Sequence, residues 1–165
     1  MATRFTLEHE LPTDPETFWS TFFDRAYNLA LYLEELQFPA FEIVEQRETP
    51  AGLHREVKAT PKTELPAAVA KLIGPNLRYS EAGDFDRDKG TFVWVMKTSA
   101  LTDKMKNGGT LRVEPRGPGK LLRVVEAYSE ASVFGLGGLL ESSTEKQVRD
   151  GWEKSAAFMR RWLTR

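Results

Sequence analysis

The chain's 165 residues hold two imidazoles, His9 and His54, and no thiol. Thiolate nucleophiles, disulfides, Cys-based zinc sites and histidine-rich metal cages are therefore excluded. His9 alternates with Phe5, Leu7 and Leu11, and a lone histidine on an apolar face is more often a hydrogen-bonded core residue than a catalyst. His54 falls on a polar face and is expected to be solvated. No Gly-x-Ser-x-Gly elbow occurs to present a serine nucleophile. Gly135-x-Gly137-Gly138 superficially suggests a dinucleotide fingerprint, yet it follows a β-rich stretch with no strand-helix-strand unit around it, so a hinge is the better reading. No catalytic residue, cofactor or metal ligand is assigned on these grounds.

Arg55 carries more information. It shares its face with Leu53, Val57 and Ala59, while His54, Glu56 and Lys58 take the other. An arginine on an apolar face is costly unless paired. Either it holds the acidic head group of a ligand, or it pairs with a glutamate of the sheet such as Glu126, or a bulge reverses the strand faces. Gly151 and Ser155 lie four apart on one side of a C-terminal helical pattern, beside Trp152 and Met159. A glycine there costs about 1 kcal/mol against alanine, so the missing side chain serves either a close approach of helix to sheet or ligand space. Phe92, Trp94 and Met96 share one face, Tyr79 aligns with Leu77, and Tyr128 aligns with Leu122 and Val124. Such a set suits either a plain core or a cavity for a mostly apolar ligand oriented by a few hydrogen bonds.

These residues need elements to hold them. Arg4–Leu11 alternates as a half-buried strand. Thr13-Asp14-Pro15-Glu16 reads as a capping box with Thr13 as the cap, opening one bent or two consecutive helices whose apolar positions run from Phe18 and Trp19 to Leu29, Ala30, Leu33 and Leu36. Pro39 ends them. Turn signals then separate β-prone runs: 41–49, 53–60, 77–86, 91–99, a poorly defined 102–114 in which Gly108-Gly109 is a turn or a bulge, and 120–133. A short helix over 64–73, stopped by Gly74-Pro75, crosses between the second and third of these runs. After the lead-in Phe134–Gly138, the positions Leu140, Val148, Trp152, Ala156, Met159 and Leu163 form one stripe opposite Glu141, Glu145, Arg149, Glu153 and Arg160. A strand, helices, a meander and one long helix predict a curved antiparallel sheet of six to seven strands gripping that helix, an α+β helix-grip.

In this order, with Leu11-Pro12 and Phe18-Trp19, Glu64-Leu65-Pro66 through Val69 and Ile73 to Leu77, Gly135–Glu141, and Phe158 to Trp162-Leu163, the chain resembles the START-like superfamily. That superfamily also holds the Bet v 1-like (SRPBCC) pollen allergens and the polyketide cyclases, and the likeness is to an uncharacterised bacterial branch. The resemblance spans nearly the whole chain and implies one START-like domain over 1–165 with a hydrophobic-ligand cavity. It implies no shared catalytic motif. The cavity is expected to use Arg55, Val57, Leu72, Tyr79, Trp94, Met96, Tyr128, Leu136, Val148, Trp152 and Met159. A hydrophobic small molecule or lipid is the expected partner. The alternatives are a cyclase- or isomerase-type enzyme using His9, Arg55, Tyr79 or Tyr128, and an interaction module with a filled core.

Composition agrees with these expectations. Apolar residues are 41% and charged residues 28%, with 23 Lys plus Arg against 24 Asp plus Glu and a net charge of −1. Phosphate neutralisation by a basic surface is therefore not expected, and nucleic acid is excluded as a partner class. No stretch approaches the roughly 20 apolar residues of a membrane span, and the N-terminus is too polar for a signal segment. A cytoplasmic protein is expected.

Overall fold

The computed structural model describes residues 2–74 and 77–165. The strands are β1 (Thr3–Leu11), β2 (Ala40–Glu48), β3 (Gly52–Thr60), β4 (Tyr79–Asp86), β5 (Thr91–Thr98), β6 (Met105–Pro115) and β7 (Leu121–Ala131). Between β1 and β2 run α1 (Pro15–Phe22), α2 (Arg25–Leu29) and a π-helical turn over Ala30–Glu35; α3 (Ala67–Ile73) links β3 to β4, and α4 (Gly137–Leu163) follows β7. The strands form one curved antiparallel sheet in the order β1-β7-β6-β5-β4-β3-β2. The meander pairs sequential neighbours, and β1 returns to lie beside β7. Pro75, half of the expected Gly74-Pro75 stop, lies outside the described residues.

The period-2 pattern of β1 buries Phe5, Leu7, His9 and Leu11 and exposes the residues between them. Its buried face joins Leu121 and Val125 of β7 and Ala156 and Met159 of α4 in one core, with Val148 and Trp152 packed against it. Burying side chains of this size stabilises the grip by about 1.5–3 kcal/mol each. Along the outer face of α4, Arg149 Nε donates to Glu145 Oε2 at 2.7 Å, the four-residue pairing expected from the sequence.

Three expectations need correction. The cap of α1 is Asp14, whose carboxylate accepts from the Thr17 amide at 2.8 Å. Thr13 is drawn instead into the preceding turn, its amide donating to Leu11 O at 3.0 Å. The helical stripe toward Leu36 does not keep a 3.6-residue period, because the chain widens into π-helical turns in which the Leu36 amide reaches back to Leu31 O at 2.8 Å. Leu33 consequently turns outward and is 41% exposed, while Tyr32 turns inward to stack on Phe41 at 4.1 Å. Finally, Gly108 and Gly109 form neither turn nor bulge; both sit in the unbroken register of β6. A Cβ on Gly109 would stand 2.6 Å from the Trp94 indole, so this glycine makes room for that ring.

Candidate functional site

Between the sheet and α4 lies a cavity of about 970 Å³. Trp94 and Met96 of β5 and Met105 of β6 supply apolar wall from the sheet, and Val148, Trp152 and Met159 supply it from α4. The Trp94 and Trp152 rings face each other with centroids 5.8 Å apart, Trp94 being held in place by the gap at Gly109. The segment 61–66, the turn at Gln37-Phe38 and α4 from Leu139 to Gln147 border the space. Gly151 and Ser155 are on the wall, and a Cβ on Gly151 would meet nothing within 4 Å. The absent side chain thus adds to the cavity and does not admit a neighbouring backbone.

Of the residues expected at such a cavity, Tyr79, Trp94, Met96, Val148, Trp152 and Met159 border it, Tyr128 touches its edge from a strand position whose ring stands on the other face of the sheet, and Arg55, Val57, Leu72 and Leu136 do not border it. Arg55 is withdrawn into the core, 3% exposed, with its Nη2 3.7 Å from Glu81 Oε1. Its guanidinium also lies 4.7 Å from the Phe22 ring centroid and 5.4 Å from that of Phe92. The sequence alternative of a sheet glutamate was right in kind, but the partner is Glu81; Glu126 stands on the other face, 61% exposed beside Arg112. Val57 packs with Phe41 and Ala59 in a separate cluster. Leu72 points outward from α3 because Val69 takes the inner side. Leu136 packs on the cluster of Val69, Met105, Ala131 and Leu140.

Tyr128 has a different geometry from the one its alternation suggested. Leu121, Val125 and Ala127 are the residues of β7 in the core shared with α4, so Tyr128, Leu122 and Val124 take the opposite face. There the Tyr128 phenol oxygen would sit 2.8 Å from a Cβ on Gly108, and the Arg4 guanidinium lies 5.6 Å from its ring centroid.

Several polar groups of the wall escaped the sequence reading. Chief among them is Arg123 of β7, 1% exposed and on the cavity wall. The alternation that singles out Arg55 singles out Arg123 equally, since it falls between Leu121 and Val125. Its Nη1 donates to Ser155 Oγ at 3.1 Å, and its Nη2 donates to Trp152 O at 2.9 Å and to His9 Nδ1 at 3.1 Å. Burial pulls its pKa down to about 10. His9 Nε2 lies 3.0 Å from Glu153 Oε1 without the alignment of a hydrogen bond. Burial and then the neighbouring Arg123 charge hold the His9 pKa below the usual imidazole value, so the ring is neutral and takes the Arg123 proton donor on Nδ1.

Tyr27, Tyr32, Asn28 and Glu81 also face this space. Burial raises the Tyr32 phenol to about 12 and pushes Tyr27 and Tyr79 upward as well. All three phenols therefore stay protonated and can donate a hydrogen bond. Burial also raises the Glu81 carboxyl, against the opposing pull of Arg55. Asn28 is spent on structure, its amide nitrogen donating to Phe22 O and Asp24 O at 2.8 and 2.7 Å. The wall therefore has an apolar field from Trp94 and Met96 to Val148 and a polar end at Arg123 and the phenols, the two meeting at Trp152, whose ring centroid lies 4.8 Å from the Arg123 guanidinium.

Comparison with solved structures shows the same architecture elsewhere. TTHA0849 from Thermus thermophilus is similar at a TM-score of 0.67 and 20% identity, with 96% of this chain and 95% of that one covered. The Zhui aromatase/cyclase from a Streptomyces species is similar at 0.66 and 13%, covering 98% and 96%. A START superfamily protein from Mycobacterium smegmatis is similar at 0.64 and 13%, covering 97% and 98%. At these identities the likeness shows the fold, which is the START-like, Bet v 1-like helix-grip. A comparison with curated proteins found no match. A family model described as "Protein of unknown function (DUF2505)" matches residues 6–163.

Proposed function

Because the chain belongs to the DUF2505 family, whose description assigns no activity, its role has to be read from its own cavity, and we propose that this cavity takes up a hydrophobic small molecule or lipid. On this reading residues 1–165 act as one carrier or sensor domain, without covalent chemistry. The observation that carries it is the cavity of about 970 Å³ between sheet and α4, a volume in the range of small-molecule sites. An interaction module with a filled core has no use for such a space. Gly151 adds to the argument, because a glycine in mid-helix costs about 1 kcal/mol and its missing side chain enlarges the cavity.

An aromatase/cyclase is among the fold's relatives, and the corresponding reading here would need His9, Arg55, Tyr79 or Tyr128 to polarise or protonate a substrate. Three of the four are committed elsewhere, which favours the carrier, and Tyr79 keeps its phenol on the cavity wall. His9 is engaged by Arg123, Arg55 by Glu81, and the Tyr128 ring packs over Gly108 on the far face of β6. The described residues contain no helix long and apolar enough to cross a membrane.

The test is titration of the ligand-free protein with Nile red, a neutral apolar dye. Micromolar binding that is weakened when Gly151→Leu narrows the cavity beside Trp152, in a protein that still melts cooperatively, is the expected result. Failure of the unmodified protein to bind this dye and fatty-acid or polyaromatic probes at micromolar concentration would overturn the reading.

A further inference from the structure

The two buried arginines of the sheet have opposite electrostatic circumstances. Arg55 has a carboxylate at 3.7 Å and aromatic faces around it. Arg123 is as deeply buried and likewise lies over an aromatic face, 4.8 Å from the Trp152 ring centroid, yet among the described residues no carboxylate lies within 4 Å of it; its hydrogen-bond partners are a hydroxyl, a backbone carbonyl and a neutral imidazole. A guanidinium taken out of water without a counter-charge costs several kcal/mol, and hydrogen bonds to neutral acceptors offset only part of that. The closest negative charge on that side, Glu153, stands behind His9 and is 63% exposed, so water screens most of its effect.

The donor inventory points the same way. A guanidinium has five N–H bonds, and three are engaged here, by Ser155 Oγ, Trp152 O and His9 Nδ1. One N–H on Nη1 and the Nε–H remain, and Nε is buried without any partner. Tyr27, protonated and on the same wall, lies close enough for Arg123 to act on its charge. Away from this end the wall is Trp94, Met96, Met105 and Val148. The cavity is thus amphipathic, with an uncompensated positive charge at one end of an apolar space.

We propose that the ligand is an anionic amphiphile whose acidic oxygen group, in the first instance a carboxylate, is received by Arg123 and assisted by the Tyr27 phenol, with its apolar body lying along Trp94, Trp152 and Val148. This rests on the reading of the cavity as a ligand site and names the chemical class that site selects. Arg55, the arginine that alternation alone would assign to this duty, is already neutralised by Glu81 and takes no part. The ligand's charge completes an ion pair that the protein leaves half built, so selection against a neutral analogue follows from the desolvated guanidinium.

The experiment compares two probes with one apolar body, 11-(dansylamino)undecanoic acid and 11-(dansylamino)undecanol, by fluorescence titration of the unmodified protein at pH 7.5. The acid is expected to bind at least tenfold tighter. In Arg123→Gln that preference is expected to vanish, through weaker binding of the acid with the alcohol nearly unchanged, whereas Ser155→Ala, which keeps the charge and frees Nη1, is expected to retain it. Equal affinities of acid and alcohol for the unmodified protein would overturn the inference and leave the cavity reading standing. Acid preference that survives in a folded Arg123→Gln protein would overturn the assignment to Arg123. Binding of neither probe would remove the cavity reading and this inference together. Should Arg123→Gln fail to fold, the acid-to-alcohol ratio on the unmodified protein and on Ser155→Ala decides the charge preference.

Discussion

Gly151→Ala separates the two roles a mid-helix glycine can have, and the structure sets the sign. A Cβ at this position meets no atom within 4 Å, so alanine introduces no clash and α4 gains the full difference in helix propensity, about 1 kcal/mol. For a domain of this size that corresponds to a melting temperature higher by about 2–4 °C. Gly151→Leu keeps nearly the same propensity gain, since leucine ranks close to alanine, but sends its branched end into the space beside Trp152 and Ser155. The two variants should therefore agree in stability and disagree in ligand uptake, alanine retaining the Nile red affinity and leucine weakening it. Differential scanning calorimetry and dye titration on the same preparations measure both quantities. A melting temperature lowered by Gly151→Ala would refute the reasoning, because it would mean that sheet and helix approach too closely at this point for even one carbon.

Other glycines should behave oppositely. Gly109→Ala should destabilise by roughly 1–3 kcal/mol in urea unfolding, since its Cβ would stand 2.6 Å from the Trp94 ring and 2.4 Å from Glu126 O. At the start of α4, Gly137→Ala should lower stability because its Cβ would sit 2.7 Å from Ala131 O, whereas Gly138→Ala meets nothing and should not; if this helix start gates the cavity, stopped-flow exchange of a bound dye slows in Gly138→Ala at unchanged affinity, and unchanged rates would count against the gate. His54, whose pKa is raised by its hydrogen bond with Asp84 at 2.8 Å, should contribute stability below its unfolded pKa of about 6.5 and lose it as pH rises through the higher folded value. The difference in melting temperature between the unmodified protein and His54→Gln should accordingly be present at pH 5.5 and absent at pH 9. For His9, nitrogen NMR should show Nδ1 unprotonated at pH 7, as its acceptance from Arg123 requires; an imidazolium would contradict the geometry.

The architecture was legible because each of its signals is local and repeats. Alternation in β1, punctuation between the strands and the apolar stripe of α4 all report which face is buried, and burial decides the grip. The failures lie where a long-range contact overrides the local pattern. Leu33 obeys a 3.6-residue period in the sequence, but π-helical winding turns it outward and brings Tyr32 in. Gly108-Gly109 looks like a break until the Trp94 indole lying over it is known. Alternation also identified a buried arginine at 55 without saying which carboxylate neutralises it, since strand order and strand parity are needed to see that Glu81 lies on the adjoining β4 whereas Glu126 lies on the distant β7 and faces outward. Tyr128 and Arg123 are adjacent failures of one kind: assigning β7 to the wrong parity put a phenol on the inner face and hid the guanidinium that stands there. A single residue of slip exchanges the two faces of a strand completely.

The central claim, that the cavity holds a small apolar or amphipathic ligand, is tested most directly by native mass spectrometry of the protein purified from its own host under non-denaturing conditions. The account predicts a species heavier than the chain by a discrete mass, released on denaturation and, on extraction, identified as a mostly hydrocarbon molecule bearing one acidic group. A bare polypeptide mass, in a protein that also takes up neither Nile red nor the dansyl acid and alcohol, would contradict it.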